Sequence, residues 1–180
     1  MLINPNQSCF LLIDMQTRLW PVVAEPQAIS RNSQILLKAI RRLGIPTLVS
    51  QQYTRGLGPT IDELTALISD DEIVEKTSFS CIKEEAYVQR LRALERDQAV
   101  VAGIEAHVCV LQTVENLLDD GRHVFVVADA ISSRTHANYL AAVERMRASG
   151  AMIVTTEMVI FEWMQTANTP EFRELSALIK

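Results

Sequence analysis

Six short apolar runs, separated by stretches whose apolar residues recur every three or four positions, limit this chain more than any other feature. The runs are Ser8–Ile13, Thr47–Ser50, Glu72–Glu75, Gln98–Ile104, His123–Ala128 and Ala151–Val154. Parallel strands need long crossovers and are buried on both faces, so continuous apolar strands alternating with amphipathic helices predict a sheet clad by helices on each side. The intervening stretches fit. Pro26 to Leu43 carries Ile29, Leu36, Leu37, Ile40 and Leu43 at helical spacing and stops at Gly44, with Pro46 beyond. Glu84 to Leu94, Leu111 to Leu118 and Tyr139 to Ala148 repeat the pattern, the last two ending at Gly121 and Gly150; the C-terminal stretch is helical in pattern and broken near Pro170. The expected architecture is a three-layer α/β/α sandwich around a Rossmann-like, mostly parallel sheet of about six strands, with residues 1–180 forming one domain.

Size and charge then narrow the function. At 180 residues the chain should bury roughly 70% of the surface it would expose unfolded. Lys and Arg number 17 against 22 Asp and Glu, a net charge of -5 with no basic stripe, which argues against nucleic acid as a partner. The longest apolar runs fall far short of the roughly 20 residues that cross a bilayer, and the first residues do not resemble a signal peptide; a cytoplasmic protein with no membrane partner is expected. None of the strand-to-helix turns carries clustered glycines for a dinucleotide or nucleotide phosphate, so no cofactor is expected. Cys9, Cys81 and Cys109 are too few and too scattered for a disulfide framework or a zinc ribbon.

In an open parallel sheet, ligands sit beyond the carboxyl ends of the strands. Asp14 directly follows the first run, Lys76 follows the third, and Cys109 lies just past the fourth, in the opening turn of the next helix. A helix start and a nearby ammonium lower a thiol from about 8.5 toward neutrality, which would make Cys109, rather than Cys9 or Cys81, the low-pKa thiol. Asp14 could take the thiol proton while pairing with Lys76. Singly, each residue is as well explained by a cap, a surface charge or a core position; their shared rim gives them a chemical reading as nucleophile, base and stabiliser.

Three strings carry a resemblance. Cys9 to Ile13 running into Asp14-Met15-Gln16, Lys76-Thr77-Ser78-Phe79-Ser80, and Gly103-Ile104-Glu105-Ala106-His107-Val108-Cys109-Val110 resemble, in order and spacing, the motifs of the isochorismatase-like cysteine hydrolases. Val127 to Ala130 and Ser132-Ser133-Arg134 look like the same family's fifth-strand region. Gly56 to Thr60 and the ending from Pro170 are most similar to its isochorismatase-domain-containing members of undefined substrate. The resemblance implies Cys109 as nucleophile, Asp14 as base and Lys76 as third member. It also implies a non-proline cis peptide between Ile104 and Glu105, with the backbone N–H groups of Glu105 and Cys109 forming an oxyanion hole. Ala106 stands where many members have Thr, which removes one supporting hydrogen bond. Metal-dependent nicotinamidases of this superfamily use an Asp and two His after the second strand; here that stretch reads Ser50 to Arg55 without either, so no metal is expected.

The implied activity is metal-free hydrolysis of a small amide or related C–N acyl substrate through a thioester. Trp20, Tyr53, Phe79 and His107 are candidate walls of the substrate pocket. Two other readings stay open: a catalytically silent assembly protein, and a redox-responsive protein using Cys109 and Cys81. Between Glu157 and Gln165, Met158, Val159, Ile160, Phe161, Trp163 and Met164 leave few polar positions, so a homo-oligomer assembled through this segment is expected.

Overall fold

The computed structural model describes residues 1–179. Six strands, β1 (Ser8–Ile13), β2 (Thr47–Gln52), β3 (Ile73–Lys76), β4 (Gln98–Ile104), β5 (His123–Ser132) and β6 (Met152–Val154), pair in parallel throughout in the order β3-β2-β1-β4-β5-β6. The order reverses between β1 and β4, so the crevice at their carboxyl ends is the topological switch point. Among the described residues, six α-helices lie between the strands and two follow the last: α1 (Pro26–Leu43), α2 (Thr54–Leu57), α3 (Asp62–Thr65), α4 (Glu85–Ala93), α5 (Leu111–Asp119) and α6 (His136–Ala148), then α7 (Thr156–Met164) and α8 (Pro170–Ser176).

Alternate residues of each strand feed two cores. Phe10, Leu12, Val100, Ala102, Phe125 and Val127 face α1 and α7, whereas Cys9, Leu11, Ile13, Ala99, Val101, Val124 and Val126 face α4, α5 and α6. Period-two alternation with both faces apolar is why these runs read as unbroken hydrophobic sequence. Helix α1 ends as its sequence predicts: Gly44 takes a left-handed conformation (φ 67°) and donates back to the Ile40 carbonyl.

Three local features depart from the sequence expectation. The fifth strand does not close at Asp129; it runs to Ser132 through a register shift between Val101 and Gly103 of its neighbour. Asp129 instead turns its carboxylate on the start of α7, where Oδ1 accepts from the Thr156 backbone N–H at 2.7 Å and its hydroxyl at 2.9 Å. The segment after β4 is a π-helical turn, Ala106–Val110, in which the Val110 N–H reaches five residues back to the Glu105 carbonyl. In α7, Val159, Ile160, Trp163 and Met164 are buried, with the Trp163 indole donating to Ser8 Oγ at 2.9 Å, and of its apolar residues only Met158 and Phe161 stand exposed. The domain's own core therefore absorbs most of the apolar surface expected to need a partner. No helix among the described residues is long and apolar enough to cross a membrane.

Candidate active site

The switch point gathers the three residues singled out at the strand ends. Asp14, fully buried at the end of β1 with φ 49°, accepts on Oδ2 from Lys76 Nζ at 2.8 Å and on Oδ1 from Ser50 Oγ at 2.7 Å. Lys76, 2% exposed, comes from the end of β3 and reaches across β2 to make that pair. Its ammonium also faces Gln52 Oε1 at 2.6 Å and the carbonyls of Ser78 and Phe79 at 3.1 and 3.0 Å. Four acceptors surround three N–H donors, so the ammonium is fully occupied by the protein. Cys109, 5% exposed in the π-helical turn, lies close enough to Asp14 and Lys76 for both charges to act on its thiol.

The backbone at this rim is closely built. Gly103 adopts φ 119° against β1, and a Cβ there would stand 2.0 Å from the Ile13 carbonyl oxygen. Only glycine lets β4 approach β1 one residue before Asp14. The next peptide bond but one, Ile104–Glu105, is cis.

Electrostatics overturn one expectation. Burial pushes the Cys109 thiol well above its ordinary range, and the charge of Asp14 pushes it further; Lys76 pulls it back only in part. Cys109 is therefore not a low-pKa thiol at rest. The π-helical turn also replaces the α-helical start that was to have favoured a thiolate. Cys9 and Cys81 are lifted too, to about 12 and about 11, chiefly by burial. For Lys76, burial lowers the ammonium, but Asp14, with smaller contributions from Cys81 and Cys109, outweighs it and raises the group. The ammonium holds its charge while the thiol keeps its proton.

The pocket candidates separate. Tyr53 and Phe79, each 55% exposed, flank Lys76: the Tyr53 N–H donates to the Lys76 carbonyl at 2.9 Å, and Phe79 supplies a carbonyl to its ammonium. Tyr53 lines a cleft of about 310 Å³ with Arg55, Glu75, Lys76, Thr77 and Glu84, a wall that does not include Cys109. Trp20 is half-buried, packs on the core and donates to the Pro26 carbonyl at 2.7 Å. His107 lies between Ser133 Oγ (2.9 Å, from Nδ1) and the Asn138 amide (3.3 Å, to Nε2). Those contacts hold it to β5 and α6.

Sequence reasoning missed Ser50 and Gln52. Both lie on β2, two residues apart and so on one face, and they hold Asp14 and Lys76 respectively. Gln16 fixes Gln52 in turn, its amide pairing with both the backbone N–H (2.7 Å) and carbonyl (2.9 Å) of that residue. Being uncharged, these side chains offered no signal beyond their place at a strand end. Among the described residues no three His, Cys, Asp or Glu side chains gather as metal ligands.

The molecule is a doubly wound parallel α/β protein with a buried carboxylate, ammonium and thiol at its switch point. Residues 8–158 match the Isochorismatase domain, and the chain belongs to that family of hydrolases. It is 38% identical over 177 residues to isochorismatase domain-containing protein 2 of Danio rerio, covering 98% of this chain and 89% of that one. Among solved structures it resembles the MAR1 ribonuclease of Caenorhabditis elegans (36% identity, TM-score 0.93, 99% and 92% of the two chains). The fold is also that of the YcaC gene product of Escherichia coli, described as an octameric hydrolase of unknown specificity (24% identity, TM-score 0.89, 98% and 95%).

Proposed function

We propose that the protein is a metal-independent cysteine hydrolase of a small amide or related C–N acyl compound, with Cys109 as nucleophile, Asp14 as base and Lys76 as electrostatic partner. The observation that carries this reading is the buried 2.8 Å Lys76–Asp14 pair with the Cys109 thiol close enough for both charges to act on it. Because the thiol is protonated at rest, the reaction starts by general-base catalysis. Asp14 takes the proton as sulfur attacks the carbonyl carbon, and Lys76 balances the charge that develops. The backbone N–H groups of Glu105 and Cys109 would receive the oxyanion, each donor worth about 2.7–4 kcal/mol. The amine leaves with the proton held by Asp14; water, deprotonated by Asp14, then cleaves the thioester and returns the thiol.

The ribonuclease name of a 36%-identical structure raises a second reading, cleavage of an RNA phosphodiester. A net charge of -5 and an ammonium already fully occupied speak against it. Homo-oligomerisation is part of the proposal; the octameric relative and the exposed Met158 and Phe161 support it.

The test incubates the protein and Cys109→Ala with a panel of small amides and ureides and, separately, with an RNA oligonucleotide, following product and intact mass. An acyl adduct on Cys109 and activity lost in Cys109→Ala are expected. Amide turnover that survives the substitution overturns the nucleophile; RNA cleavage that depends on Cys109 favours the second reading.

A further inference from the structure

We infer that His107 is a positioning residue: its imidazole pins the π-helical turn to the end of β5 and so sets where the Cys109 thiol stands beside Asp14. The inference rests on the reading of Cys109 as nucleophile and deepens it by naming what holds that group in place.

The turn has little of its own to hold it. A π-helical turn is a rare conformation that persists mostly as a single turn at functional sites. Ala106–Val110 reads Ala-His-Val-Cys-Val, and no side chain caps its start. Ala106 and Val110 are fully buried and contribute packing alone. Glu105 ties the entry to the turn through Arg134 at 2.8 Å. Within the turn, Cys109 is the reacting group, which leaves His107 as the residue with polar side-chain atoms free to serve as an anchor.

Both of its ring nitrogens are engaged. Nδ1 lies 2.9 Å from Ser133 Oγ and Nε2 lies 3.3 Å from the Asn138 amide nitrogen. A neutral imidazole has one N–H and one in-plane lone pair. Because an amide nitrogen only donates, Nε2 accepts from Asn138 and the Nδ1–H donates to Ser133. Neither nitrogen is left to take the thiol proton, so the residue stands outside the proton transfers assigned to Asp14.

The anchors are themselves fixed. Ser133 is fully buried and directly follows β5; its carbonyl accepts from the Ala24 N–H at 2.9 Å, while Ser132 Oγ donates to the Ala24 carbonyl at 2.7 Å. Ala24 belongs to the connection that runs from Asp14 at the end of β1 to the start of α1. Asn138 lies in the first turn of α6. The imidazole therefore joins the turn that carries the nucleophile to the strand end that also holds the connection leaving the base. A ring held at both nitrogens cannot rotate without losing a contact, which makes it a stiff link between the two reacting groups.

The experiment follows acylation of Cys109 by p-nitrophenyl acetate. Sulfur bonds to the acetyl carbon, the thiol proton passes to Asp14 and p-nitrophenolate leaves, so the released chromophore gives the rate and peptide mass spectrometry the site. His107→Ala should slow this step by about tenfold or more, since a nucleophile displaced by about 1 Å can lose about 10²-fold in rate. Iodoacetamide labelling of Cys9 and Cys81, both fully buried, should stay at the wild-type level, whereas a merely loosened fold would raise it. His107→Asn, whose amide nitrogen stands near the place of Nδ1 and still donates to Ser133, should recover most of the rate. Ser133→Ala should reproduce the loss, and the two substitutions together should slow acylation no more than His107→Ala alone. An undiminished rate in His107→Ala, an Asn variant no better than the Ala variant, or losses that multiply in the double variant overturn the inference. If His107→Ala opens the fold, His107→Asn and Ser133→Ala carry the same test. Should the wild type take no acetyl group on Cys109, the nucleophile reading itself fails, and with it the ground for this one.

Discussion

The two ends of the sheet solve opposite problems with similar materials. Where the strands begin, a cleft of about 770 Å³ opens among Leu2, Gln98, His123, Phe161 and Glu162, the larger hollow by volume. Its polar groups tie down the N-terminal arm: Glu162 accepts from the Ile3 N–H at 2.6 Å, and the Gln98 amide holds Asn4 and Leu2 at 2.7 and 3.1 Å. Beside Lys76, where the strands end, the cleft is less than half that size, yet behind it Ser50 and Lys76 both bond one carboxylate, and its charge acts on Cys109. At the first end polar side chains serve the backbone, and at the second the backbone serves polar side chains. Cavity size is thus a poor guide here, and convergence of titratable groups a better one.

Substitutions at matching features of the two ends should divide accordingly. The largest effect is expected at Gly103, where a Cβ would collide with the Ile13 backbone. Gly103→Ala should cost about 4 kcal/mol or more in urea unfolding, whereas Gly150→Ala, at a strand start with open space around it, should cost only about 1–3 kcal/mol for its positive φ. Equal losses would erase the contrast. Lys76→Met comes next: it strands a buried carboxylate together with three other acceptors, so a loss of about 3–5 kcal/mol is expected by the same measurement. A variant as stable as the wild type would mean the pair is not desolvated as described.

Smaller effects test the buried thiols. Cys9 and Cys81 have folded pKa values of about 12 and about 11 against an ordinary value near 9.0. Between pH 9 and those values the unfolded chain loses protons that the folded one keeps, so stability falls as pH rises, by up to about 1.4 kcal/mol per pH unit for each thiol. Below pH 9 both states hold the proton and the contribution is flat. Cys9→Ala should reduce the alkaline slope by one thiol's share, whatever it does to absolute stability; an unchanged slope would show that Cys9 ionises in the fold. The smallest effect belongs to the larger cleft. His123→Gln should move stability by no more than about 0.5 kcal/mol and leave Cys109 alkylation untouched.

The same contrast explains what could be read from the sequence. Strands were legible because both sheet faces are apolar, and Ser8–Ile13 and Gln98–Ile104 coincide with the residues that pair. The three charged or reactive strand-end residues were legible through the switch-point rule. What escaped was set by non-local backbone: the irregular stretch of β5 between Val126 and Ile131 that carries the strand past Asp129, the π-helical turn under Cys109, and the neutral partners Ser50 and Gln52. The acidity of Cys109 was misjudged because proximity to Lys76 can be inferred from order along the chain, whereas depth of burial cannot.

The enclosure of Lys76 also makes it a chemical marker of the native state. Amine-reactive reagents need an unprotonated, reachable nitrogen, and this one is buried, raised and ringed by acceptors, while Lys38 and Lys83 lie open to solvent. Acylating reagents should therefore label those two lysines and spare Lys76 until the sheet's strand ends come apart. Its mass tag would report loss of the site's architecture in variants for which no substrate is yet at hand.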